Sequence, residues 1–93
     1  MEETVRLQAT VHGRVQGVGF RHFTMQRAGE LGLAGYVKNR WNRTVEVVAE
    51  GNRESLEALV SHLHAGPRAA NVTRVDSVWL PATGEFHDFG PRF

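Results

Sequence analysis

The chain has 93 residues, with 11 Lys and Arg against 10 Asp and Glu and a formal net charge of +1. It contains no Cys, which excludes a disulfide framework, a thiolate zinc site and a cysteine nucleophile. The balanced charge argues against binding to nucleic acid or anionic lipid by bulk electrostatics. No apolar run approaches the ~20 residues that span a bilayer, and the N-terminal sequence lacks the apolar stretch of a secretory signal. We therefore expect a single cytoplasmic domain, residues 1–93, that acts as a monomer.

The first part of the chain predicts a strand followed by a helix. Residues 5–12 alternate apolar and polar side chains, which is typical of a strand with one buried face, and Gly13 is expected to end it. From Phe20 the apolar spacing becomes helical, and Gly32 follows as a stop. The predicted apolar stripe of this helix is Phe20, Phe23, Ala28 and Leu31.

The second part predicts a hairpin, a helix and further strands. Residues 34–40 and 44–50 are two strand-like segments separated by a short turn. Asn52 then suits the N-cap of an amphipathic helix. Residues 72–80 predict a fourth strand, and a short terminal strand follows that Pro91 restricts to a sheet edge. The apolar stripe of the second helix is Leu56, Leu59, Val60 and Leu63.

This order of elements, β-α-β-β-α-β, predicts an α+β fold. It is the ferredoxin-like plan: a sandwich of two helices on one face of an antiparallel, four- to five-stranded sheet. The fold alone decides no function, because it hosts enzymes, RNA-binding domains and regulatory modules.

The loop between the first strand and helix, residues 13–21, is the most informative segment. It carries three glycines within seven residues and leads into a helix, so several free backbone N–H groups converge where the helix begins. Arg21 lies in the first helical turn, where the helix dipole favours anions over cations. A phosphate bound between the amides and Arg21 would resolve this conflict. The alternative is an ordinary glycine loop followed by a solvated arginine.

Other sites are less well supported by the residues. His62 and His64 are two positions apart on the predicted helix and point to different sides, so they do not form a zinc pair, and no metal site is predicted. His22 adjoins Arg21 and could touch the substrate, but the sequence favours a surface residue without that contact. The third strand lacks the RNA-binding signature of an RRM and carries Glu46 and Glu50, so no nucleic-acid partner is expected.

Two motifs make the sequence similar to a known family. The segment VHGRVQGVGFR, residues 11–21, resembles the first signature of the acylphosphatases. Residues 35–39, GYVKN, followed by Thr44-Val45-Glu46 and Gly51, resemble the second. The resemblance covers the chain down to its terminal Phe-x-x-Arg-Phe and implies a ferredoxin-like α/β sandwich. One position departs from the family pattern: Arg43 stands where the family usually has Gly, so we expect it at positive φ.

The resemblance also implies an activity and a site. Acylphosphatases hydrolyse the carboxyl–phosphate bond of acyl phosphates, and this activity needs no metal or cofactor in the mechanism that we expect. Arg21 would bind the phosphoryl group and Asn39 would hold the attacking water, although by itself Asn39 is also an ordinary turn residue. The backbone amides expected to complete the phosphate site are those of Val15, Gln16, Gly17, Val18, Gly19 and Phe20. The partner would be a small acyl phosphate or phosphate ion.

Two alternatives remain open from the sequence. The same loop would serve a non-catalytic module that binds a phosphorylated ligand or contacts RNA. The other alternative is that the chain is a free-standing relative of the acylphosphatase-like domains in larger maturation enzymes, with carbamoyl phosphate as its substrate.

Overall fold

Seven elements follow one another in the predicted order in the computed structural model, which describes residues 3–93. They are β1 (Thr4–Arg14), α1 (Phe20–Glu30), β2 (Ala34–Asn39), β3 (Val45–Asn52), α2 (Arg53–Ala65), β4 (Asn71–Pro81) and β5 (Phe89–Arg92). The expectation that Gly13 ends β1 is wrong, because the strand continues through Arg14 after a register shift between His12 and Gly13. Gly13 is needed there for close approach: a Cβ would lie 2.1 Å from the carbonyl oxygen of Asn71 on β4.

The strands form one five-stranded sheet in the order β4-β1-β3-β2-β5. The α+β, ferredoxin-like prediction is confirmed. The first four strands pair antiparallel, as expected, but β5 pairs parallel to β2, so the sheet is mixed. β5 is an edge strand, which accommodates Pro91 because only one side of an edge strand needs backbone donors.

The hydrophobic core lies between the helices and one face of the sheet. On α2 the leucines of the predicted stripe are buried, and Asn52 caps the helix by accepting a 2.8 Å hydrogen bond from the Ser55 amide. On α1 the buried line runs through Phe20, Thr24 and Ala28 and not through Phe23. Thr24 is buried without an unpaired polar atom, because its hydroxyl donates to the Phe20 carbonyl at 2.9 Å. The core residues include Leu7, Ala9, Val11, Phe20, Ala28, Val37, Val45, Val47, Leu56, Leu59 and Leu63.

Both helices of the described chain are too short or too polar to cross a membrane.

The 82–88 segment carries the chain from β4 at one edge of the sheet to β5 at the other. It is anchored on Glu50 of β3, which is only 6% exposed. The Glu50 carboxylate accepts hydrogen bonds from the amides of Thr83 and Gly84, at 2.9 and 3.0 Å, and from the Arg6 guanidinium at 2.8 Å. Phe86 of the same segment packs against Tyr36, with ring centroids 5.9 Å apart. These contacts set the position at which β5 joins the sheet.

Glu50 makes the stability of this anchor depend on pH. Burial alone would raise the pKa of the Glu50 carboxyl, but its hydrogen bonds from Thr83, Arg6 and Gly84 outweigh burial and lower the pKa from 4.5 to about 2. A pKa lowered by folding stabilises the protein above the unfolded-state pKa, and this contribution is lost as the pH falls toward the folded-state pKa. The loss therefore occurs between about pH 5 and pH 2.

The substitution Glu50→Gln tests this anchor. Between pH 7 and pH 3 we expect the free energy of unfolding of the wild-type protein to fall by about 2 kcal/mol more than that of the variant. Urea titrations at several pH values measure the difference. Glu85→Gln is the matched control: Glu85 also bonds Arg6 but is exposed, so solvent screens it and its removal flattens the pH curve less. Parallel pH curves for the wild-type protein and Glu50→Gln would contradict the assignment.

Candidate active site

A cavity of about 340 Å³ opens where the β1–α1 loop meets the end of β2. Arg21 and Asn39, the two predicted catalytic residues, both line it. Of the predicted loop residues, Gln16 and Val18 do not line the cavity. Gln16 borders a neighbouring depression, and Val18 packs on the core. The cavity is lined by Val15, Gly17, Gly19, Phe20, Arg21, His22, Met25, Asn39, Pro91 and Phe93.

The backbone of the loop leaves amides free at the start of α1. Gly17 and Gly19 have φ values of 72° and 79°, in the left-handed region that glycine adopts without strain. Gly19 is the N-cap and no side chain caps the helix. The Phe23 amide makes the bond to the Gly19 carbonyl, at 3.0 Å, so the amides of the preceding helical residues have no partner within the helix. Such a terminus is suited to bind an anion.

Arg21 projects from this first turn, and no carboxylate of the described residues pairs with its guanidinium. Within residues 3–93 it forms no ion pair, and no acidic side chain lines the cavity. Its guanidinium carbon lies 4.9 Å from the centroid of the Phe93 ring, a cation–π contact that holds the side chain beside the cavity. The guanidinium N–H groups are therefore free to bind a ligand.

Asn39 contributes a buried polar atom that the described protein leaves unpaired. It is the last residue of β2 and shares the helix-covered face with Val37, two positions earlier. Its Oδ1 is buried and has no hydrogen-bond partner in residues 3–93. A buried acceptor without a partner costs about 1–3 kcal/mol, which a bound water or ligand at the cavity would offset.

Gln16 has a positioning role that the sequence analysis missed. Its Nε2 donates to the Arg40 carbonyl at 2.7 Å and to the Thr44 carbonyl at 2.9 Å. These bonds tie the loop to the β2–β3 turn, which begins directly after Asn39. The signal in the sequence was only that Gln16 lies inside the first motif; its acceptors lie more than twenty residues away.

Arg43 occupies the β2–β3 turn at a φ of 71°, which confirms the expectation of positive φ. Its amide donates to the Arg40 carbonyl at 3.1 Å, and the side chain lies outside the cavity. Asn42 stabilises the same turn by accepting hydrogen bonds from the Thr44 amide and hydroxyl, at 3.2 and 2.6 Å. The departure from the family pattern is therefore accommodated within the turn, outside the cavity lining.

Several residues reach the cavity that the sequence analysis did not assign to it. Met25 follows Arg21 by four positions on α1, β5 contributes Pro91, and Phe93 follows directly after β5. His22 is exposed, as expected, but it too borders the cavity. Across residues 3–93 no three His, Asp or Glu side chains are grouped so that they would hold a metal ion.

Comparison with known proteins identifies the family of the chain. A family model described as Acylphosphatase matches residues 7–91. An acylphosphatase of Salinibacter ruber is 45% identical, over 94% of this chain and 92% of that protein. An acylphosphatase of Thermus thermophilus is 54% identical, over 85% and 90%. The crystal structure of acylphosphatase from Bacillus subtilis superposes with a TM-score of 0.93 at 35% identity, covering 96% of this chain and 99% of that one.

The relatives, matched over most of their length, show that the chain is a hydrolytic enzyme, and its fold is a ferredoxin-like sheet covered by two helices. The chain belongs to the acylphosphatase family.

Proposed function

We propose that this single domain, residues 1–93, hydrolyses the carboxyl–phosphate bond of small acyl phosphates without a metal ion or cofactor. The products are a carboxylate and inorganic phosphate. The observation that carries the proposal is the buried, unpaired Oδ1 of Asn39, which lines the same cavity as Arg21 and the open start of α1. The cavity thus offers hydrogen-bond donors for an anion, together with a hydrogen-bond acceptor for a water molecule.

Arg21 and the loop amides bind the phosphoryl group in this mechanism. The guanidinium presents a planar fork of N–H donors that matches two phosphoryl oxygens, and the amides from Val15 to Phe20 supply donors around the third. The transition state of phosphoryl transfer is loose, with charge spread over these oxygens, so donors held in place stabilise it more than the ground state. The absence of acidic side chains from the described cavity lining favours binding of a dianion.

Asn39 positions the attacking water. Its Oδ1 accepts a hydrogen bond from the water, which directs an oxygen lone pair toward phosphorus opposite the leaving carboxylate. An amide takes up no proton, so the proton of the water passes to a phosphoryl oxygen of the substrate. The step balances as RCO–OPO₃²⁻ + H₂O → RCOO⁻ + H₂PO₄⁻.

The leaving group explains why so few residues suffice. The carboxylate that departs has a conjugate acid with a pKa of about 4, so it leaves without a general acid. Charge stabilisation by Arg21 and the amides, and alignment of water by Asn39, are then the remaining requirements. The donor set of the cavity supplies both.

Release of phosphate from benzoyl phosphate by the purified protein tests the proposal. We expect turnover in the presence of excess EDTA at the same rate as in its absence. Absence of turnover, with phosphate still bound, would favour a non-catalytic phosphate-binding module, and loss of turnover in EDTA would contradict the metal-free mechanism. His22→Gln tests the proton transfer, because a drop of kcat by more than about tenfold would identify His22 as the general base in place of the substrate oxygen.

The expectations of a cytoplasmic monomer and of no nucleic-acid partner stay predictions.

A further inference from the structure

The proposed mechanism uses only part of the cavity. A phosphate group has five heavy atoms, and at about 30 Å³ or less for each of them it fills less than half of the cavity's 340 Å³. The phosphoryl-binding groups lie on the loop and on Arg21, and the water-holding Asn39 lines the same cavity. The rest of the lining includes three apolar side chains, Met25, Pro91 and Phe93, which together we call the acyl subsite.

The sheet register places this subsite beside the reacting groups. β5 runs parallel to β2, with Val37 opposite Pro91 and Lys38 opposite Arg92. Phe93 follows Arg92 directly, and Asn39 follows Lys38, so the two residues come next after the last pair of this register. The Phe93 ring also lies against the Arg21 guanidinium carbon, 4.9 Å from its centroid. The ring therefore contacts the phosphoryl-binding arginine and lines the same cavity as Asn39, the residue proposed to hold water.

Exposure distinguishes Phe93 from the apolar residues of the core. It is 92% exposed, whereas Phe20 on the floor of the same cavity is 2% exposed. An aromatic ring left in water beside a cavity has apolar surface that a ligand in the cavity would cover. Met25 extends this surface from α1, because it lies one helical turn beyond Arg21 on the same side of the helix.

We propose that the acyl subsite receives the acyl group of the substrate and makes the enzyme selective for acyl phosphates with a bulky apolar or aromatic acyl group. This inference rests on the proposed function. An acetyl group is too small to cover the Phe93 ring and Met25 while its phosphoryl group is bound at Arg21. A longer alkyl chain or a phenyl ring covers them and removes apolar surface from water, which favours its reaction.

The test compares acetyl, butyryl, hexanoyl and benzoyl phosphate. The straight-chain acids hardly differ in acidity, so their leaving groups are matched, and each kcat/KM is divided by the uncatalysed rate. We expect the normalised kcat/KM of hexanoyl phosphate to exceed that of acetyl phosphate by about tenfold in the wild-type protein. In Phe93→Ala this ratio should fall to below about threefold, and in Phe93→Leu it should remain close to the wild-type value.

A ratio is used because Phe93 also contacts Arg21, so the alanine variant affects all substrates through the phosphoryl site. The inhibition constant of inorganic phosphate measures that shared effect separately. Trp41→Ala is the matched control, since Trp41 is 93% exposed but lies outside the cavity, and its ratio should equal that of the wild-type protein.

The outcomes separate this inference from the proposed function. If the wild-type protein hydrolyses all four substrates with a normalised ratio near one, or if Phe93→Ala keeps the tenfold ratio, the acyl subsite is overturned and the proposed function stands. If the wild-type protein hydrolyses none of them, the proposed function fails and the inference fails with it.

Discussion

Replacing Arg21 with alanine is expected to lower kcat/KM for benzoyl phosphate by about 10³- to 10⁴-fold. Among residues 3–93, Arg21 is the one Arg or Lys that lines the cavity. Its removal therefore leaves the amides alone to stabilise the phosphoryl oxygens. Arg21→Lys keeps the charge but loses the planar fork, and we expect it to recover about tenfold of that loss. The inhibition constant for inorganic phosphate should rise in both variants.

The fold of Arg21→Ala should be intact. Arg21 forms no ion pair within the described residues, and a cation at a helix N-terminus is opposed by the helix dipole. Thermal melting followed by circular dichroism should therefore show a midpoint close to that of the wild-type protein. Arg14→Ala is the matched control: it removes the same charge from an exposed position beside the loop but outside the cavity, and we expect kcat/KM to change by less than about threefold. Near wild-type turnover by a folded Arg21→Ala protein would contradict the assignment of Arg21 as the phosphoryl-binding residue.

Asn39→Ala has the second largest expected effect, a fall in kcat of about 10²- to 10³-fold. Loss of Oδ1 removes the group that aligns the water, while Arg21 and the amides still bind phosphate. We therefore expect the inhibition constant of inorganic phosphate to change by less than about threefold. This split between turnover and phosphate binding distinguishes water positioning from phosphate binding, and steady-state kinetics with phosphate inhibition measures it.

Stability should move in the opposite direction to activity in this variant. The Asn39 Oδ1 is buried without a partner in the described protein, so its removal relieves a desolvation cost, and we expect a free energy of unfolding equal to or above that of the wild-type protein. Asn42→Ala is the matched control in the same hairpin. Its Oδ1 accepts from the Thr44 amide and hydroxyl, so we expect it to lose about 1 kcal/mol of stability and to keep kcat within about threefold. An Asn39→Ala protein with wild-type kcat would contradict the role of Asn39.

The sequence predicts those features that depend on neighbours along the chain. The apolar stripe of α2 and its Asn52 cap follow from spacing within one helix, and the structure has both. The positive φ of Arg43 was expected from a motif position within one turn. The burial of Thr24 is not predicted by the spacing of apolar residues. It depends on the hydrogen bond from its hydroxyl to the Phe20 carbonyl, one turn earlier in the helix.

The sequence by itself determined the order of the elements, the family resemblance and two candidate residues, Arg21 and Asn39, since local periodicity and short motifs carry that information. Only the tertiary structure decided which residues share a cavity. The parallel pairing of β5 with β2 brings Phe93 to the site, and Gln16 joins the loop to a turn distant in the chain. The physical reason is that strand pairing and long-range hydrogen bonds are selected by the packing of the whole sheet, including the anchor of the 82–88 segment on Glu50, and no local pattern encodes them.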